Sequence, residues 1–90
     1  MELETIRKKI DELDRKWIQI VSERVKLIPE VAECKRQNNF PRYQPERESQ
    51  IIANRRELAL HYGINPALVQ DIMQRLIKES HRIEKEIIVE

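Results

Sequence analysis

An all-α fold, a three-helix protomer with a long kinked first helix, follows from three features of this 90-residue chain. The composition is rich in Glu, Lys, Arg, Ile and Leu, with one Gly and four aromatic residues (Trp17, Phe40, Tyr43, Tyr62), a mixture that favours long helices over sheets. Apolar residues recur at alternating three- and four-residue intervals, the spacing that lines one face of a helix. Two prolines, Pro45 and Pro66, sit where that rhythm restarts, dividing the chain into three segments. At this length the chain is one domain, residues 1–90, near the lower limit for a self-sufficient core.

The first segment runs from about Leu3 to Arg36. Its seam reads Leu3, Ile6, Ile10, Leu13, Trp17, Ile20, Arg24, Leu27, Val31 and Cys34, apolar at every step except Arg24. Pro29 removes one backbone donor and predicts a kink, but the seam keeps its phase beyond it, so a continuous helix is expected. Residues Gln37 to Gln44 lose the period and carry turn formers, predicting a loop. Pro45 suits a first helical position, and Glu46 and Glu48 follow it where the helix dipole favours acids. Ile51, Ile52, Arg55, Leu58, Ala59 and Tyr62 carry the second helix to a cap at Gly63. Asn65-Pro66 opens the third, with the seam Val69, Met73, Leu76, Ser80, Ile83 and Ile87 reaching nearly to Glu90.

Length then predicts an oligomer. A helix from residue 3 to 36 is about 50 Å long, whereas a compact chain of this size is about 31 Å across. The first helix must overhang its own chain with an apolar seam along its whole length, and a symmetry mate running antiparallel is the simplest cover. The expectation is an intertwined antiparallel homodimer, with Trp17 near the two-fold axis.

Charge and composition exclude several functions. Seventeen basic and sixteen acidic residues leave a net charge of +1, so no bulk field draws nucleic acid or anionic lipid. No apolar run reaches membrane length and the first residues lack a signal-peptide core, so the expectation is a cytoplasmic protein without membrane or nucleic-acid partners. The single cysteine, Cys34, is expected as a buried reduced thiol on the seam. The chain offers no cysteine pair, Asp cluster or spaced histidines, so neither metal nor cofactor is expected. His61 and His81 fall outside the seams and read as surface residues. No Ser-His-Asp set, phosphate-cradling Gly loop or catalytic carboxylate pair can be assembled.

What stands out is polarity inside the seams. Arg24 occupies a core position, where a guanidinium loses hydration and requires an anion, either a protein carboxylate or a ligand. Lys35, eleven residues later, projects to the same side. Ser80 interrupts the third seam, Glu84 lies one turn further on the same face, and Arg47 points inward at the start of the second helix. Arg7 is about 25 Å along the rod from Arg24, but in an antiparallel dimer the partner's Arg7 arrives between Arg24 and Lys35. Cations converging on one polar hole point to a small polyanion, and to an electrostatic rather than a nucleophilic site.

In this order and spacing, Ile6-Arg7-Lys8-Lys9-Ile10-Asp11-Glu12-Leu13-Asp14, Ser22-Glu23-Arg24, Val31-Ala32-Glu33-Cys34-Lys35, Glu46-Arg47-Glu48 and Leu76-Ile77-Lys78-Glu79-Ser80 resemble the all-helical class of chorismate mutase, over essentially the whole chain. The resemblance implies an intertwined homodimer with two sites shared across the interface. It also implies the rearrangement of chorismate to prephenate, on the route to phenylalanine and tyrosine. Carried over by position, Arg24 and the partner's Arg7 clamp substrate carboxylates with help from Arg47, as arginine's planar fork allows. Lys35 donates to the ether oxygen and a carboxylate, Glu48 accepts from the ring hydroxyl, and Ser80 holds the ring-side carboxylate end. The reaction is pericyclic, so fixing the reactive conformer and stabilising charge on the ether oxygen are sufficient, without a covalent intermediate.

Two positions depart from that pattern. Glu84 stands where many relatives have Gln, opposite Lys35 at the ether oxygen, and can donate there only when protonated. This predicts activity falling as pH rises, with partial recovery on Glu84→Gln. Gln44 stands where mutases often carry Asp, which changes the contacts available to the ring hydroxyl. Two other readings fit the same residues. Isochorismate pyruvate lyases share the fold and cations, and show Pro-Glu-Arg at the second helix start, as Pro45-Glu46-Arg47 does here. A non-catalytic helical interaction module would pair Arg24 with a partner's Glu and would tolerate Arg24→Leu.

Overall fold

The structure is a computed structural model and describes residues 2–89; Met1 and Glu90, the ends of the expected domain, lie outside the described residues. Its elements are α1 (Leu3–Gln37), α2 (Pro45–His61) and α3 (Pro66–Ile87), and the described residues contain no strand. α1 runs unbroken through the exposed Pro29 and extends one residue past the expected end. Both helix ends that lead into loops close with a left-handed residue. Asn39 has φ 56° and Gly63 φ 70°, and each is followed by a six-to-one hydrogen bond, Phe40 N–H to Lys35 O at 2.9 Å and Ile64 N–H to Ala59 O at 2.8 Å. The αL position falls to Gly, or to Asn among side-chain-bearing residues, because a Cβ is costly there. Asn65 caps α3, its side-chain oxygen accepting from Ala67 N–H at 2.9 Å, and Pro66 needs no partner for its missing donor.

α3 is the central element, packed against both α1 and α2. It therefore carries two inward stripes, and half-buried positions cover most of its circumference from Val69 to Ile88. The molecule measures 56 × 23 × 15 Å, with a radius of gyration of 16.4 Å; a compact chain of this length has about 12 Å. The excess is α1, in which every residue from Leu3 to Ile20 is exposed.

The expected seam of α1 is not the face that α1 turns toward its own chain. Val21, Val25, Ile28, Ala32 and Lys35 are the buried or half-buried stripe, with Ala32 at 0% exposure. That stripe lies one residue, about 100° of rotation, from Ile20, Arg24, Leu27, Val31 and Cys34. The predicted seam stays largely open, with Leu13 62%, Trp17 50%, Ile20 61% and Leu27 56% exposed. Cys34 is likewise exposed, correcting the expectation of a buried thiol, because α3 packs on the neighbouring stripe and leaves this end of the seam open. On α2, Ile51 and Ala59 are buried, while Leu58 and Tyr62 face outward.

Candidate functional site

A cavity of about 190 Å³ opens where the C-terminal half of α1, the start of α2 and the last turns of α3 meet. Arg24, Lys35, Gln44, Arg47, Glu48, Ser80 and Glu84 all line it, between apolar walls from Ile28, Val31, Ile51 and Ile77. Seven of the eight residues expected to bind substrate thus meet in one protomer. Arg7 does not: it lies on the overhang, 60% exposed, and donates to Glu4 Oε1 at 2.8 Å.

Arg24 occupies its seam position but leans toward the cavity, half-buried. Its NH1 is buried and has no hydrogen-bond partner. Burial, followed by the charges of Arg55 and Arg47, weakens its hold on its proton. Among the described residues no carboxylate pairs with it, and neighbouring cations press on it. Arg55 lies four residues beyond Ile51 and eight beyond Arg47, on one stripe of α2; the sequence pattern places it on that stripe but gives it no role beside Arg24. Arg47 lines the cavity while remaining largely exposed, more open than an inward-pointing residue would be.

Lys35 and Glu84 form the site's buried ion pair. Lys35 Nζ lies 2.7 Å from Glu84 Oε1, their side chains 16% and 5% exposed. The same Nζ donates to Arg42 O at 2.7 Å, which ties the loop after α1 to the site. Ser80 Oγ donates to Leu76 O at 3.0 Å, the back-bonding common for hydroxyls inside helices, and keeps its lone pairs for other donors. Gln44 Nε2 donates to Pro41 O at 3.2 Å.

His81 departs from the surface placement expected for both histidines. Its side chain is 23% exposed, Nε2 lies 2.8 Å from Glu48 Oε2, Nδ1 lies 2.8 Å from Arg42 NH1, and the Tyr43 ring meets it edge-on at 5.6 Å. The seam rule placed it outward because it follows Ser80 by one residue; α3 has a second stripe toward α2, on which Ile77 and His81 fall. His61 is exposed, as expected.

Chemically, the site offers an unpaired guanidinium, a second arginine and an ammonium around a small apolar chamber, with the Glu84 carboxylate paired to that ammonium and the Glu48 carboxylate beside His81. Such a chamber suits a compact guest with more than one negative group and a hydroxyl to donate. Among the described residues, no group of three or more His, Cys, Asp or Glu could hold a metal ion, and no helix is long and apolar enough to cross a membrane.

Comparison with known proteins gives the same direction. The family model described as chorismate mutase type II matches residues 6–85. The chain is 36% identical over 88 residues to the chorismate mutase of Methanocaldococcus jannaschii, covering 98% of this chain and 89% of that protein. It is 35% identical over 85 residues to the T-protein of Enterobacter agglomerans, covering 94% of this chain but 23% of the relative. It is 31% identical over 84 residues to the 4-amino-4-deoxychorismate mutase of Streptomyces pristinaespiralis, covering 93% of this chain and 65% of that protein. The chain spans less than a quarter of the T-proteins it matches. No solved structure matches significantly.

Proposed function

This chain belongs to the chorismate mutase type II family, and on that premise we propose that it converts chorismate to prephenate at a site completed by a second copy of itself. The observation that carries the proposal is the buried, partnerless NH1 of Arg24, beside Arg47 and Lys35 in an apolar chamber. A buried donor without an acceptor costs about 1–3 kcal/mol, more for a charged group, and a substrate carboxylate supplies the acceptor.

The roles follow from the donor set. Arg24, with Arg47 behind it, holds one carboxylate, and the partner's Arg7 holds the other. Lys35 donates to the ether oxygen, where negative charge grows as the carbon–oxygen bond lengthens. Glu48 accepts from the ring hydroxyl, with Gln44 beside it at the same rim, and Ser80 turns its hydroxyl from Leu76 O, which it meets in the free protein, to the ring-side carboxylate end. The reacting carbons need no nucleophile; holding the substrate in its folded, near-attack conformer is the positioning part of the catalysis. The overhanging seam of α1 supports the antiparallel dimer, because it exposes Leu3, Ile6, Ile10, Leu13, Trp17 and Ile20 in one line, a contiguous apolar strip of the kind that marks an interaction surface. On binding, Arg7 exchanges Glu4 for substrate.

Glu84 is where the site departs from the best donor set. As the anion of its pair with Lys35, 2.7 Å from Nζ, it opposes the charge developing at the ether oxygen, whereas the amide of Glu84→Gln donates there. Glu84→Gln should therefore turn over chorismate at least as fast as the native protein. A large loss of kcat/KM in that variant would remove Glu84 from this position.

The deciding assay offers the purified protein chorismate and isochorismate separately. Prephenate from the first is expected; salicylate from the second alone would make it a lyase, and turnover of neither would leave a binding module. A second test mixes Arg7→Ala with Arg24→Leu, each inactive alone. If the sites are shared, half the dimers after exchange are mixed and one of their two sites is intact, restoring about a quarter of the native activity. No restoration would refute the shared site.

A further inference from the structure

The roles assigned above leave out His81, although its ring lines the same cavity and touches a proposed substrate ligand. An arginine guanidinium can only donate hydrogen bonds. Arg42 NH1 lies 2.8 Å from His81 Nδ1, so Nδ1 is the acceptor and the ring proton resides on Nε2. That nitrogen is the one 2.8 Å from Glu48 Oε2. Flipping the ring would put carbon atoms against both partners, and a doubly protonated ring would set Nδ1–H against the Arg42 N–H. The Tyr43 edge contact at 5.6 Å supports the ring from a third direction. Arg42, in turn, belongs to the loop whose backbone carbonyl receives Lys35.

We propose that His81, held as the neutral Nε2–H tautomer by Arg42, is a positioning residue that aims the Glu48 carboxylate into the cavity. One oxygen of Glu48 is occupied by His81, which leaves the other to accept from the guest and removes the rotational freedom of an unrestrained side chain. The same histidine couples α2 to α3 and to the loop behind Lys35, so the acceptor at one end of the chamber and the donor at the other share a support. The proposal depends on the mutase reading only for what Glu48 does to substrate; the tautomer and the aim of the carboxylate belong to the free protein.

The experiment has two arms. Nitrogen-15 spectra of the ligand-free protein at neutral pH should show His81 with a protonated Nε2 and an unprotonated, hydrogen-bonded Nδ1. The opposite tautomer, or an imidazolium, overturns the proposal whatever the protein catalyses. In the kinetic arm, His81→Leu should lower kcat/KM for chorismate about tenfold, the worth of one hydrogen bond, and His81→Gln, whose amide N–H reaches the place of Nε2, should stay within about threefold of native. In a Glu48→Ala background, His81→Leu should cost nothing further, since coupled residues do not add. Equal losses in both backgrounds would mean that His81 acts through packing alone, and the proposal fails. A native protein inert toward chorismate would sink the mutase reading instead, with the spectra still deciding this one.

Discussion

The two halves of α1 have the same heptad rhythm and opposite fates. Residues 3–20 are exposed throughout, while residues 21–35 lie against α3 along Val21, Val25, Ile28 and Ala32. The heptad seam itself continues across both halves, and in the second half it sits next to the packed stripe rather than on it. One helix therefore carries two apolar faces: a short one that closes the protomer and a long one left for a partner. Arg24 stands where the two faces adjoin, which is why it is half-buried, lacks a protein acceptor and still reaches the cavity.

Substitutions in each region test that division. The largest effect should come from Trp17→Glu on the long face, where charges of two subunits would meet near the proposed two-fold axis; sedimentation should show monomers, and activity should vanish. A dimer that survives with native activity would place the partner elsewhere. Next is Arg24→Leu, at the junction of the faces. It removes a guanidinium whose proton is weakened by burial and by two neighbouring cations, so kcat/KM should drop by about 10² to 10³, the loss typical of one electrostatic donor, while the fold persists. Thermal melting should be unchanged or higher for that variant, because an unpaired buried charge has been replaced by an apolar side chain; a clear fall in Tm would show that Arg24 has a structural acceptor after all. The smallest effect belongs to Ala32→Leu on the short face. Added methyl groups at a fully buried contact cost about 1–3 kcal/mol, read as a lowered midpoint in urea, with kcat/KM of the folded fraction near native. If Ala32→Leu abolishes activity at full stability, the short face is part of the catalytic architecture rather than its support.

The fold was legible to within a residue or two because local chemistry announces it: Pro45 and Pro66 at first turns, Asn65 as a cap, Gly63 in the left-handed position. Five cavity residues, Arg24, Lys35, Arg47, Ser80 and Glu84, were legible as polar groups on inward faces, and Gln44 and Glu48 only through the family resemblance. Three things were not. Cys34 shared its period with the apolar seam, and periodicity fixes a face without saying what covers it. His81 was assigned to the outside by a one-stripe view of α3, a helix that meets two neighbours and so needs two. Arg55 was counted on the second helix's stripe beside Ile51 and Leu58, but in a chain with seventeen basic residues nothing marked it as a neighbour of Arg24. The family and the spacing together led to the donor set, but the side chains that brace it lie one shell back, where a single periodic rule has no resolving power.

An ammonium has three N–H bonds, and Lys35 has committed two of them, to Glu84 Oε1 and to the carbonyl of Arg42, each at 2.7 Å. The remaining proton is the one a visitor can use. A free lysine side chain forfeits up to about 2 kcal/mol of rotamer entropy when it is immobilised; here that loss is taken during folding. The arriving molecule finds a tripod with two feet already planted, so its affinity is not diluted by having to still a waving arm.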